Sequence, residues 1–310
     1  MMKILITGGA GFIGTHLAKS LASEHQILVF DNFLKQVHGD GEVNYVKSVE
    51  YFKGDITDLS DWKKVLEFDP HVIIHLAAET GTGQSMDEMT RYAQTNILGT
   101  TNMLDLLNGG KYNVGKIILA SSRAIYGEGK NDTAKKNPNP VSIYGLTKLA
   151  QENLIKIGCK IPYTIFRYQN VYGPGQSLSN PYTGIISIFS VKFFNEEPVE
   201  IWDNGIPTRD FVFVEDVVKA TMLAIDNKKS DYKTYDVGTG ISTSILEMAK
   251  KLRQKINPNC LINLTDYHRD GDVIHAKAEN NKLKEELNWQ IQYDLDKGID
   301  CFVDWFYRDK

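Results

Sequence analysis

KILITGGAGFIG, residues 3–14, is the stretch whose reading decides the fold. Ile4 to Ile6 form a short apolar run of the kind buried in a parallel sheet. A glycine cluster follows, and Phe12, Ile13, Leu17 and Leu21 then recur at helical spacing. Gly9, Gly11 and Gly14 spell G-x-G-x-x-G, and Gly8, Gly11 and Gly14 the wider G-x-x-G-x-x-G. A strand ending in such a turn brings backbone N–H groups against a pyrophosphate, and the next helix adds its dipole. Residues 26–30 read as a second strand and end at Asp31, 20 residues after Gly11. A carboxylate there accepts from adenosine ribose hydroxyls and repels a 2′-phosphate, which favours NAD over NADP. The bland alternative is a glycine turn with no ligand.

Working outward, strand and helix patterns alternate. Strands are expected at 49–53, 72–77, 116–120 and 163–167, and helices at 59–68, 90–107 and 141–157. Such alternation means right-handed crossovers and an α/β fold with a doubly wound parallel sheet, whose ligands lie beyond the carboxyl ends of the strands. The glycine turn, Asp31, Ala77, Ser122 and Arg167 all stand at expected strand ends and should line one crevice. After residue 170 the pattern weakens, with Gly173, Pro174, Gly175 and Pro181 marking a loop-rich stretch. Further elements are expected near 185–194, 212–225, 245–256 and 281–287. We therefore expect a cofactor domain over 1–170, with returning segments near 206–240. A smaller, partly interleaved substrate domain is expected over 171–310.

Net charge is −4, so no basic field argues for nucleic acid. No run of 18 apolar residues argues for a membrane span. The chain enters a strand by residue 3, leaving no room for a signal peptide. Cys159, Cys260 and Cys301 form no framework or metal spacing. These features point to a cytoplasmic protein without a metal. His71 and His75 flank a strand and read as structural.

Tyr144 and Lys148 are four apart in an expected helix and share one face. A phenol near pKa 10 is a poor base, but a nearby ammonium and a nicotinamide cation would favour phenolate. Lys148 could also hold the nicotinamide ribose. Ser122, at a strand end, could hydrogen-bond both the reacting oxygen and the phenol. Beside a nicotinamide, such a trio suits alcohol–ketone interconversion. Without the cofactor motif, Tyr-x-x-x-Lys would read as an ordinary amphipathic surface.

The stretches TGGAGFIG (7–14), DN (31–32), GDITD (54–58), HLAAET (75–80), TNILGT (95–100), SSRAIYG (121–127), YGLTK (144–148), RYQNVYGPGQ (167–176), RDFVFVEDV (209–217) and RDGD (269–272) run through nearly the whole chain. As an ordered set they resemble extended short-chain dehydrogenases/reductases of the nucleotide-sugar epimerase/dehydratase group. The resemblance implies a Rossmann domain with a smaller sugar-nucleotide domain. It implies NAD held by Gly8, Gly11, Phe12, Ile13, Gly14, Asp31 and Asn32, with Asp55 and Ile56 at the adenine. Leu76, Ala77 and Ala78 would border the pyrophosphate and ribose, Asn96 would support the pocket, and Tyr144, Lys148 and Tyr168 would sit at the nicotinamide end. On the substrate side it implies Glu79, Thr80, Arg123, Asn170, Trp202, Arg209 and Arg269. Of these, Asn170, Arg209 and Arg269 would hold the diphosphate and Trp202 the nucleobase. Guanidinium forks suit phosphate oxygens. Each also has a plain reading: Arg209 as an ion pair with Asp210, Trp202 as a core residue.

Dehydratases of this group carry an Asp-Glu pair just after the serine or threonine, and related decarboxylases a glutamate. Here Arg123 and Ala124 stand there, so elimination and decarboxylation lose their acid–base groups. What remains is reversible oxidation at one carbinol. The 169–189 segment, with residues 31–39 and 81–86, most resembles dTDP-L-rhamnose 4-epimerases and related 4-epimerases. The expected substrate is dTDP-L-rhamnose, a related dTDP-6-deoxyhexose or a UDP-hexose. The alternatives are a nucleotide-4-keto-sugar reductase and a non-catalytic NAD(P)-sensing regulator. Family members commonly form homodimers through two long helices, here roughly 90–107 and 142–157. Met103, Leu107, Leu149 and Ile157 are candidates for that face, unless they pack only on their own sheet.

Overall fold

The computed structural model describes residues 1–39, 45–128, 137–269 and 271–309. The first βα unit forms as its pattern demands. In β1 (Lys3–Thr7), Ile4 and Ile6 face one layer, with Leu17, Leu21 and Val29, while Leu5 faces the other, with Trp62 and Ile73. Both faces are buried, which is why the run is apolar rather than alternating. Next come α1 (Phe12–Leu21), β2 (Gln26–Asp31), α2 (Lys35–His38), β3 (Glu50–Lys53), α3 (Leu59–Leu66) and β4 (Val72–His75). Asp58 caps α3 by accepting from Ser60 N at 2.6 Å.

The helix expected over 90–107 forms as one continuous helical run, with a π-helical stretch in its middle. After α4 (Thr82–Asp87) come α5 (Met89–Tyr92), a π-helical stretch (Ala93–Leu98) and α6 (Gly99–Asn108). The π-helical stretch falls where buried Asn96 turns inward to hold the loop after β4, as π segments often do beside functional sites. Met103 and Leu107 on α6 are buried against Trp62 and Ile117, so they belong to the protein's own core and are not a dimer face. Ile157, by contrast, is 87% exposed.

Then follow β5 (Lys116–Ser122), α7 (Ile143–Gly158), β6 (Tyr163–Tyr168), β7 (Asn170–Tyr172), α8 (Ile185–Phe194), β8 (Val199–Ile201), β9 (Thr208–Arg209) and β10 (Phe211–Phe213). The chain ends with α9 (Val214–Ala224), β11 (Lys233–Val237), β12 (Thr243–Ser244), α10 (Ile245–Ile256), β13 (Ile262–Leu264), α11 (Asn281–Leu287) and α12 (Leu295–Asp309). Residues 212–225, expected as one element, are thus a strand end and a helix.

Seven strands pair in parallel in the order β11-β6-β5-β4-β1-β2-β3. The order reverses between β1 and β4, the switch point at which doubly wound sheets open a crevice. One core layer gathers α1, α9, Leu283, Leu287 and Trp289 beneath the sheet, so late segments return to it well beyond residue 240. The opposite layer is built on Trp62, Met103, Leu107 and Ile155. A third core joins Phe189, Phe193, Phe211, Met248, Phe302 and Phe306 and carries the loops facing the strand ends. Among the described residues no helix is long and apolar enough to cross a membrane.

Candidate active site

Beyond the carboxyl ends of the strands lies a cleft of about 1190 Å³. Of the cofactor, catalytic and substrate residues named above, all but Asp55 and Asn96 line it; Arg167, expected at the same crevice, does not, because its guanidinium is drawn away to Glu152 and Tyr126. Its first end is made of backbone. Gly8 has φ +66°, and a Cβ there would lie 2.7 Å from Ala77 N; a Cβ on Gly14 would lie 2.5 Å from Gly9 Cα. Gly11 caps α1 with no side chain to satisfy the first-turn N–H groups. Asp31 Oδ2 accepts from Ala10 N at 3.0 Å and Oδ1 from Phe33 N at 2.8 Å, which pins the turn to the end of β2. A turn closed to any Cβ, open amides at a helix N-terminus and a buried carboxylate 20 residues on fit a dinucleotide.

The two exceptions support the wall without facing the cleft. Asp55 takes Thr57 N at 2.8 Å, Thr57 Oγ1 at 2.7 Å and Asn32 Nδ2 at 3.1 Å, so it holds Asn32 in place. Asn96 is fully buried: its Oδ1 accepts from Glu79 N at 2.8 Å, and its Nδ2 donates to Glu79 O and Thr147 Oγ1. It ties the loop after β4 to α7. His71 and His75 are structural, as read. His71 Nδ1 accepts from Lys3 N, while His75 sits between Thr7 and Thr100, where burial pulls its pKa down to about 3.

Ser122, Tyr144 and Lys148 sit midway along the cleft. Ser122 ends β5 and accepts from Ala124 N at 3.1 Å, and its hydroxyl stands close enough to the Tyr144 phenol to favour phenolate. Ser142 caps α7 through Gly145 N at 3.1 Å. A Cβ at Gly145 would lie 2.4 Å from Ala124 O, so glycine lets the first turn of α7 close on the segment after Ser122. Lys148 is buried and donates to Ala120 O at 3.0 Å. Burial pulls its ammonium down to about 7, and the Glu152 carboxylate opposes that. From the sequence alone a neighbouring ammonium and a nicotinamide cation would lower the phenol. The protein's own contribution is upward: burial raises Tyr144 and only the Ser122 hydroxyl offsets it. Desolvation of the phenol outweighs what the Ser122 hydroxyl returns.

The far end is made of side chains. Arg123 donates to Gly127 O at 2.9 Å, but its buried Nε has no hydrogen-bond partner. Burial, then the charge of Arg209, pull Arg123 down to about 10. Arg209 is lowered by burial, with Asp272 opposing and Arg269 adding. It is not Asp210's ion pair: that carboxylate takes Thr239, Gly240 N and Ala278 N, while Arg209 donates to Thr208 O at 2.9 Å. Arg269 pairs with Asp272 at 3.1 and 2.8 Å and lies 5.4 Å over Trp202. Trp202 is half-buried against Tyr267, on the cleft rather than in a core. Asp270, within the RDGD stretch, lies outside the described residues. Three guanidiniums whose charges oppose one another in one cleft suit an anion.

Glu79 is committed to Arg91 at 2.8 Å, and Thr80 O accepts from Tyr92. Tyr168 borders the cleft, while its hydroxyl pairs with Thr221 at 2.9 Å. Sequence reasoning missed Glu152, Tyr126 and Asp236, which form a buried chain with Arg167 behind the trio. No local pattern links them.

The family model described as NAD dependent epimerase/dehydratase matches residues 4–238. A dTDP-L-rhamnose 4-epimerase from Burkholderia thailandensis is 36% identical, with 99% of this chain and 95% of that protein aligned. The UDP-glucose 4-epimerase of Thermotoga maritima, solved with UDP-glucose, superposes with a TM-score of 0.90 at 31% identity over 99% of each chain. The UDP-glucuronic acid 4-epimerase of Bacillus cereus, solved with UDP-glucuronic acid and NAD, gives 0.89 at 27% identity over 100% of each. This chain belongs to the NAD dependent epimerase/dehydratase family.

Proposed function

We propose that this protein is an NAD-dependent nucleotide-sugar 4-epimerase acting on dTDP-L-rhamnose or a related dTDP-6-deoxyhexose, with a UDP-hexose as second choice. The observation that carries the reading is the Ser122–Tyr144–Lys148 trio between a dinucleotide turn and three arginines, with no carboxylate at residues 123 and 124. The glycine turn, Asp31 and Lys148 would hold the cofactor, which when bound supplies reversible hydride acceptance from a carbinol carbon.

The protein's residues do the rest. Tyr144 takes the proton of the C4 hydroxyl and later returns it, and Ser122 hydrogen-bonds that oxygen throughout. Lys148, charged, favours the phenolate that burial opposes. Arg209, Arg269 and Asn170 grip the diphosphate, so the 4-keto sugar can turn over without leaving. Asp31 argues against a 2′-phosphate and so against a reductase consuming NADPH. The complete trio argues against a non-catalytic sensor. We also infer a cytoplasmic homodimer: the three cysteines are free, and half-exposed Leu98 and Leu146 replace Met103 and Leu107 as candidates for the paired face.

The reaction is tested in D₂O without added cofactor. Inversion at C4 should proceed with no deuterium at C3, C4 or C5 and no accumulation of NADH. Deuterium at C5, or release of a 4-keto-6-deoxy product, would show elimination or carbanion chemistry and sink the assignment.

A further inference from the structure

Behind the reacting trio runs a line of buried charge that the proposed chemistry does not use. Glu152 lies four residues beyond Lys148 on α7, hence on the same face, and is fully buried. Ser121 Oγ donates to its Oε1 at 2.6 Å. Arg167 donates from Nε at 2.8 Å and from its terminal nitrogen at 2.7 Å, and Lys156 adds a bond at 2.7 Å. Arg167 also donates to the Tyr126 hydroxyl at 2.6 Å, and Tyr126 donates to Asp236 at 2.7 Å. The line thus runs from α7 through β6 to β11.

Its register matters. Lys148 grips β5 at Ala120 O and Glu152 grips it at Ser121, the next residue; Ser122 follows and meets Tyr144. One helix face is read residue by residue against one strand end.

A buried ion pair is poor evidence for stability, since an apolar pair of equal volume often serves as well or better. The charge therefore invites another account, and Lys148 supplies it. The ionisable groups around Lys148 are His75 from β4, Tyr144 and Glu152 from its own helix, and Arg167 from β6 behind Glu152. Farther along the line stand Tyr126, Asp236 and Lys156. His75 is held neutral by burial, and Tyr144 by burial too. Glu152 is the carboxylate among those nearest Lys148, and it opposes the desolvation that would strip the ammonium of its proton.

We propose that Glu152, clamped by Arg167, is a positioning residue that seats Lys148 against β5 and keeps it charged beside Tyr144. The mechanistic half of this rests on the function proposed above; the electrostatic half does not.

The two halves can be tested separately. In protein carrying lysine labelled with ¹³C at Cε, the Lys148 resonance is assigned by its loss in Lys148→Met and titrated. Glu152→Gln should lower its midpoint by about one pH unit, because the favourable charge is gone. Arg167→Gln should raise it, because the carboxylate loses its main partner. The double variant, which leaves neither charge stranded, should fall between the wild type and Glu152→Gln, and it serves if a single variant fails to fold. The alkaline limb of the kcat/KM profile should move in the same directions. A midpoint that stays put, or moves the same way in both single variants, overturns the proposal and leaves the network merely structural. A wild type that turns over no sugar nucleotide sinks the function above, while the titration still decides this inference.

Discussion

The two ends of the cleft are made of different material. The end proposed for the cofactor is main chain: Gly8, Gly9 and Gly14 close on one another and on Ala77 with no room for a Cβ, and Asp31 is fixed by two backbone amides. The end proposed for the substrate is long side chains: Arg123, Arg209, Arg269 and Trp202, held by carbonyls, one carboxylate and one another. A main-chain site is rigid and intolerant of volume. A side-chain site loses affinity in steps, because each guanidinium acts on its own. Tyr144 and Lys148 stand between them, positioned by both helix and sheet.

The largest effect belongs at that junction. Tyr144→Phe should lower kcat about 10²–10⁴-fold with the fold and bound NAD retained. Steady-state kinetics with cofactor quantified in the same sample checks this. A near-native rate would take the proton transfer away from Tyr144.

At the cofactor end the response should be abrupt. Gly8→Ala places a Cβ at φ +66° and 2.7 Å from the Ala77 amide. Strain and overpacking of this kind cost about 2–4 kcal/mol together. Denaturant unfolding should register that loss, and NAD released on denaturation should fall far below one per chain. Full retention of NAD would mean the turn has slack and the contrast between the ends is overstated.

At the substrate end the response should be graded. Arg209→Gln should raise KM about 10–100-fold and change kcat less, since it removes one charge-assisted contact to a phosphate. Titration of nucleoside diphosphate against both proteins measures the same loss without turnover. An unchanged dissociation constant would return Arg209 to a structural role.

The same contrast explains what could be read in advance. The cofactor end was legible because its determinants are local: glycines fixed by sterics, apolar runs fixed by burial on both faces. The substrate end was legible only as spaced arginines and an aromatic residue, without their geometry. That Asp210 would bind the 239–240 turn rather than its neighbour Arg209 is decided by distant backbone. β11 escaped notice because KTYDV is a short edge strand with two charged residues and no continuous apolar run. α12 lay outside the expected elements, although Ile299, Phe302, Val303 and Phe306 carry a helical rhythm. The Glu152–Arg167 pair joins a helix to a strand, so only packing reveals it.

The smallest expected effect also asks most of the substrate end. Trp202 is half-buried, faces the cleft, and lies beneath the Arg269 guanidinium at 5.4 Å. It either stacks on the nucleobase or merely carries Arg269. Trp202→Leu should raise KM about 3–10-fold, in the range of one exposed stacking or cation–π contact, with little change in Tm. The two roles separate in the Arg269→Gln background. If Trp202 acts only through Arg269, adding Trp202→Leu there should change nothing further. If it touches the base, the two losses should add, because two groups on different parts of one ligand act independently. We expect additivity, and the Trp202 loss should disappear when a ligand without a base, such as a sugar 1-diphosphate, is used. A Trp202 loss that persists for the baseless ligand would make Trp202 a scaffold for Arg269, and the diphosphate grip would be the whole of the side-chain end.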